Sequence, residues 1–204
     1  MGTTKVTHFN KVCGKTGLYV GADGSEIEVA STAGALTATT TLTIGSTALT
    51  ATGDEINRKC DVSTRLVTIT GTGDITAAAN EGKINLLGEV GGNAIVTLTL
   101  PAATGSGAVY TFIVSVLNTQ TYVIRSLTTD TMVGSAYLLD NDSTAVTSYS
   151  ASGTDDYITI NGTTTGGLVG DKLVLVDFLA ATWAVHYNGN VPTGSNIADP
   201  FAAT

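Results

Sequence analysis

The chain has 204 residues and a formal net charge of −8, with 43% apolar and only 13% charged residues, about half the usual charged share. Residues 1–65 are neutral: Lys5, Lys11, Lys15, Arg58, Lys59 and Arg65 balance Asp23, Glu26, Glu28, Asp54, Glu55 and Asp61. Residues 66–204 set Lys83, Arg125 and Lys172 against eleven acidic groups, which argues against binding to phosphate backbones or anionic membranes and favours solubility of many copies kept apart by charge.

The N-terminal sequence from Met1 to Phe9 has no apolar core of a secretory signal, so synthesis in the cytoplasm is expected. Residues 1–30 read as short extended pieces, with turn signals at Lys15-Thr-Gly17 and Ala22-Asp-Gly-Ser25 around Leu18-Tyr-Val20. Residues 31–52 are of low complexity, with Leu36, Leu42, Ile44 and Leu49 spaced by threonines. They are too weakly patterned for a core of their own and read as an arm that orders against a partner. Thr52-Gly-Asp-Glu55 has the spacing of a capping box and predicts a short helix over about 53–61, anchored by Leu49 and Ile56.

From residue 66 the pattern becomes β. Leu66–Thr70 and Ile95–Leu100 alternate with period two. Val109–Val116 is a longer strand with a more buried centre, and the turn at Asn118 predicts a hairpin to Thr121–Arg125. Asp156–Ile160, Lys172–Val176 and Thr182–Tyr187 complete the set, with Gly-rich joints between them. Threonine is the commonest residue, and its β-branched side chain suits a pleated surface. The fold class expected is all-β: a β-sandwich or jelly-roll-like domain over 66–190, preceded by an extended segment and arm with one short helix over 1–65, and followed by an extended tail over 191–204.

The residues that carry enzymatic chemistry are sparse. His8 and His186 are the only histidines, and no nucleophile elbow accompanies them; alternation places His186 on an outward strand face. Gly14-Lys15-Thr16 lacks the earlier glycine of a phosphate-binding loop, where Phe9 stands. Asp140-Asn-Asp142 lacks the glycine and distal glutamate of a calcium loop and reads as a hairpin tip. Gly166-Gly-Leu-Val-Gly-Asp171 does not recur as a calcium-binding repeat would. Asn161-Gly-Thr163 matches a glycosylation acceptor without a secretory route. Asp155 and Asp156 are adjacent, so on a strand they point to opposite faces and do not serve one bond. Cys13 and Cys60 lie in no metal spacing and are expected as reduced thiols. Trp183, alternating with Val185, is expected in the core. No catalytic residue, cofactor or metal is expected, and the chain reads as non-enzymatic.

Several phrases resemble one family. Leu100-Pro-Ala-Ala-Thr-Gly-Ser-Gly107 with its following strand, Asp130-Thr-Met-Val-Gly134, Asp156–Gly167 running on to Trp183-Ala-Val185, and Asp199-Pro-Phe201 are similar to segments of tailed-phage head decoration (cement) proteins. The Thr-rich stretch Ala35–Thr64 resembles connectors in phage fibre and head-surface proteins. The resemblance implies a virion structural protein on the outer surface of a capsid, often trimeric, whose partner is the major capsid protein. A tail-fibre or baseplate receptor-binding module is the alternative. On this reading the contact with capsid subunits falls to Lys5, Phe9, Lys11, Leu36, Leu42, Ile44, Leu49, Ile56 and Arg58.

Overall fold

The structure is a computed structural model that describes residues 17–20, 27–30, 36–38, 43–44, 47–48, 51, 53–60, 65–91, 95–127, 129–142 and 145–204. The chain divides into two compact units, Met1–Thr52 and Gly53–Thr204. In the first, β1 (Gly17–Val20), β2 (Ile27–Ala30) and β3 (Leu36–Ala38) form an antiparallel sheet in that order. A two-residue pair, β4 (Thr43–Ile44) and β5 (Thr47–Ala48), follows. The stretch 31–52, expected as an unpatterned arm, thus contains three short strands.

The second unit opens with α1 (Gly53–Cys60), one residue shorter than expected. Two mixed sheets follow. The larger contains β6 (Leu66–Thr68), β8 (Ile84–Leu87), β10 (Val109–Val114), β12 (Thr131–Asp140), β13 (Val146–Ser152), β15 (Lys172–Leu179) and β16 (Thr182–Val191). Its spatial order is β13-β12-β16-β15-β10-β8-β6. The smaller contains β7 (Gly73–Asp74), β9 (Ile95–Thr99), β11 (Thr121–Arg125), β14 (Tyr157–Ile160) and β17 (Phe201–Ala202), in the order β17-β14-β11-β9-β7.

From β6 to β11 the chain steps from one sheet to the other at every connection. β6, β8 and β10 are parallel neighbours in one sheet, and β7, β9 and β11 are parallel neighbours in the other. Residues 66–125 therefore wind as three turns of a two-sided coil. The expected hairpin between Val109–Val116 and Thr121–Arg125 is not formed, because β10 and β11 belong to opposite sheets. The reason lies in their link. Asn118 and Gln120 are buried, and the Gln120 side chain accepts from Val90 N (3.0 Å) and donates to Gly88 O (3.1 Å). Those bonds hold the link against the preceding turn of the coil and carry the chain across the core.

The remaining strands complete the sandwich. β15 and β16 form an antiparallel pair, as do β12 and β13, and β12 lies parallel to β16. A second helix, α2 (Ala77–Asn80), was not anticipated; Thr76 caps it by accepting from Ala79 N at 3.2 Å, and its alanines are the strongest helix formers. The C-terminal stretch, expected as an extended tail, supplies β17 to the edge of the smaller sheet.

In β8 to β12 and β14 to β16 alternation puts one side inside. Phe112, Leu173, Leu175, Met132, Leu138 and Trp183 from the larger sheet meet Val96, Leu98, Tyr122, Ile124 and Ile158 from the smaller in a single core. Trp183 is buried, as expected, edge-to-face with Tyr110 at 5.6 Å and 71°. The close approach of β12 to β16 requires a glycine. Gly134 has φ +137°, and a Cβ there would fall 2.0 Å from Val185 O.

Candidate functional site

The residues expected to dock on a partner fall mostly in the first third. Lys5, Phe9, Lys11, Leu42 and Leu49 lie outside the described residues. Leu36 is in β3 and Ile44 in β4. Ile56, half-buried, and Arg58 are on α1. His8, Cys13, Thr52 and the Gly14-Lys15-Thr16 turn also lie outside the described residues, and Cys60 is exposed and unbridged.

The acidic residues of the second unit do not all lie at the surface. Asp130, Asp156, Asp171 and Asp177 are buried. A chain with few cations must satisfy such carboxylates with hydrogen-bond donors, and here the donors are backbone N–H groups together with nearby hydroxyls and the Asn190 amide. Asp177, on β15, accepts from Thr104 N (2.9 Å), Gly105 N (2.7 Å) and Ser106 N (3.1 Å), and from the hydroxyls of Thr104 (3.0 Å) and Ser106 (2.6 Å). Burial works against its ionisation, but the bonds from Ser106, Gly105 and Thr104 outweigh burial and hold its pKa below the ordinary carboxylate value.

Asp171 plays the same part at the other end of β15. It accepts from Gly167 N (2.7 Å), Leu168 N (3.0 Å), Asn190 N (2.9 Å) and Asn190 Nδ2 (2.7 Å). Beside it, Tyr187 donates to Thr165 O at 3.1 Å. Burial first, and the nearby Asp171 second, push the Tyr187 phenol well above its usual pKa. Asp156 accepts from Thr204 N (3.0 Å) and the Thr204 hydroxyl, with Arg125 at 3.8 Å. Asp130 accepts from Ala103 N at 2.8 Å.

These contacts account for several sequence candidates. Asp155 accepts from Ser152 N at 2.6 Å while Asp156 binds the C-terminal residue, so the two carboxylates serve separate backbones. Asn161 Oδ1 accepts from Thr163 N, Thr164 N and Thr165 N, and its Nδ2 donates to Thr164 Oγ1 at 2.8 Å; the side chain organises its own loop. Asp140 and Asp142 sit at the tip joining β12 to β13. His186 is exposed on β16, 3.4 Å from the Asn188 amide. Among the described residues no group of three or more His, Cys, Asp or Glu is placed to hold a metal, and no helix is long and apolar enough to cross a membrane.

One open cleft of about 410 Å³ lies over the first turn of the coil, lined by Thr68–Ile75 with Asn80 and Leu98. Its titratable group is Asp74; the rest are threonine hydroxyls, glycines, aliphatic side chains and the Asn80 amide. It therefore offers hydrogen bonds without the paired acid and base that bond cleavage requires.

The carboxylate anchors were missed in the sequence, although a signal exists: each of Asp171 and Asp177 serves a Gly-containing turn whose N–H groups have no strand partner. Comparison with protein-family models, with curated proteins and with solved structures gives no significant match.

Proposed function

We propose that the chain is a virion structural protein, a decoration protein that binds the outer surface of a phage capsid and strengthens contacts between major capsid subunits. The observation that carries this reading is the use made of polar side chains. Each of the four buried carboxylates accepts hydrogen bonds from the chain's own backbone, an arrangement suited to rigidity and not to acid–base work. The neutral residues 1–65 make the capsid contact on this reading, and the acidic β domain stays on the outside, where its charge keeps particles apart. The protein acts without enzymatic activity, nucleic acid or membrane.

A second reading, a tail-fibre or baseplate module, draws support from the three stacked turns of residues 66–125, since parallel coils extend along one axis. Electron microscopy of phage particles carrying the gold-labelled full-length chain separates the two. Label over the heads is expected; label confined to tails would replace the first reading with the second, and unlabelled particles would remove both.

A further inference from the structure

The two outer surfaces of the sandwich differ sharply. On the smaller sheet the outward positions are Ile95, Thr97 and Thr99 on β9, Thr121, Val123 and Arg125 on β11, and Tyr157 and Thr159 on β14. Threonine predominates there, with single apolar side chains between. On the larger sheet the outward positions of β6, β8, β10 and β15 are mostly aliphatic. β6 presents Leu66, β8 presents Ile84 and Leu86, and β10 presents Val109 and Ile113. β15 adds Val174 and Val176, β16 adds Ala184, and β12 adds Val133.

The strand register makes these residues contiguous. One row runs Val109–Val176–Ala184–Val133, and the next runs Leu66–Ile84–Thr111–Val174. Beyond β15 the outward positions turn polar, with His186, Asn188 and Asn190 on β16 and then Ser135, Tyr137, Ser148 and Ser150 on β12 and β13. At the end of β15 a register shift leaves Phe178 and Leu179 exposed by 49% and 56%.

We infer that this face is a self-association surface, covered in solution by the same face of a further copy of the chain. The charge pattern selects that occupant. In a chain of net charge −8, the outward positions of the seven strands hold no acidic residue, and Lys172 is the only Lys or Arg among them. Two copies meeting there bring one Lys172 each and no carboxylate from these positions, so the acidic charge of the unit stays outside the contact.

The size agrees. Seven strands at about 4.8 Å spacing and three rows of side chains at about 6.8 Å span roughly 680 Å². That is near the approximately 800 Å² per partner of a standard interface, and its aliphatic rows with a polar margin of Ser, Asn and Tyr have the anatomy of one. The inference rests on the sheet alone and holds whether or not the chain sits on a capsid.

Sedimentation velocity of the full-length protein over a range of concentrations tests it. The wild-type chain is expected to associate. Replacing Val133, Val174 and Val176 together by threonine copies the solvent face of the smaller sheet and keeps β-branched residues in place. It should raise the dissociation constant by at least about 100-fold, because three methyl groups on each of two faces become hydroxyls. Val123→Thr, on the smaller sheet, should leave association unchanged. A wild-type chain that stays monomeric overturns the inference without any variant, as does a triple variant that associates as tightly as wild type.

Discussion

Asp177→Asn changes one oxygen to an amide at the point where β15 holds the Thr104–Ser106 turn. In the wild-type chain Asp177 Oδ1 accepts from Thr104 N and Gly105 N, and Oδ2 accepts from Ser106 N and from the hydroxyls of Thr104 and Ser106. An asparagine keeps one accepting oxygen. If it replaces Oδ1, the new NH₂ faces the Ser106 amide, donor against donor. The two hydroxyls can rotate and accept from it, but the backbone N–H cannot. One N–H left without an acceptor costs about 1–3 kcal/mol, and loss of charge assistance in the surviving bonds adds about 1 kcal/mol. The expected loss is therefore about 2–4 kcal/mol, a large part of the roughly 5–15 kcal/mol of an ordinary domain. Urea unfolding should show a lower midpoint with an unchanged m-value, and amide exchange should show lost protection at Gly105 and Ser106. A variant within about 0.5 kcal/mol of wild type, the bound for an ordinary surface substitution, would refute the assignment of Asp177 as the anchor of this turn.

The same group sets a pH dependence. An unfolded aspartate titrates near about 3.9, and Asp177 in the fold titrates below its ordinary value. Its contribution is therefore present above that pH and is lost as pH falls through the lower folded value. Thermal melts of wild type and Asp177→Asn should keep their full separation above about pH 4 and draw together as pH falls below it toward the lower folded value; a constant gap across that range would contradict the assignment. Gly134→Ala should destabilise the fold by more than about 3 kcal/mol, since its Cβ would lie 2.0 Å from Val185 O at a backbone angle that alanine disfavours. A melting temperature unchanged from wild type would show that β12 and β16 do not approach as described.

Much of the β pattern was legible because strict alternation leaves a mark wherever one face is apolar. Leu66, Ile95, Val109, Thr121, Lys172 and Thr182 each begin a strand inside a stretch read as one. β12, among the longest strands, escaped notice because Gly134, Ser135 and Ala136 interrupt its apolar run. The cause is close packing against β16, which a one-dimensional pattern does not record. β13 escaped because its outward side is mostly serine and its inward side Thr147, Tyr149 and Ala151. The false hairpin came from taking a short polar link as a surface turn, when Asn118 and Gln120 are inside. The aliphatic outer face was half visible: Ile113 lies between Phe112 and Val114, and Leu173–Val176 is apolar without a break. Such runs mark strands apolar on both sides, but which residues become neighbours depends on a register that links distant segments.

That register also fixes the order in which the chain can be finished. β10 takes one neighbour from the preceding turn of the coil, but its other neighbour is β15, with Val109 opposite Val176, 67 positions later. While the chain emerges from the ribosome, the coil of residues 66–125 presents β10 as a bare edge until β15 has been made. A nascent chain in that state has the unpaired backbone and aliphatic surface that drive premature pairing with a neighbouring chain. Its yield should therefore depend on how quickly translation passes from residue 125 to residue 191.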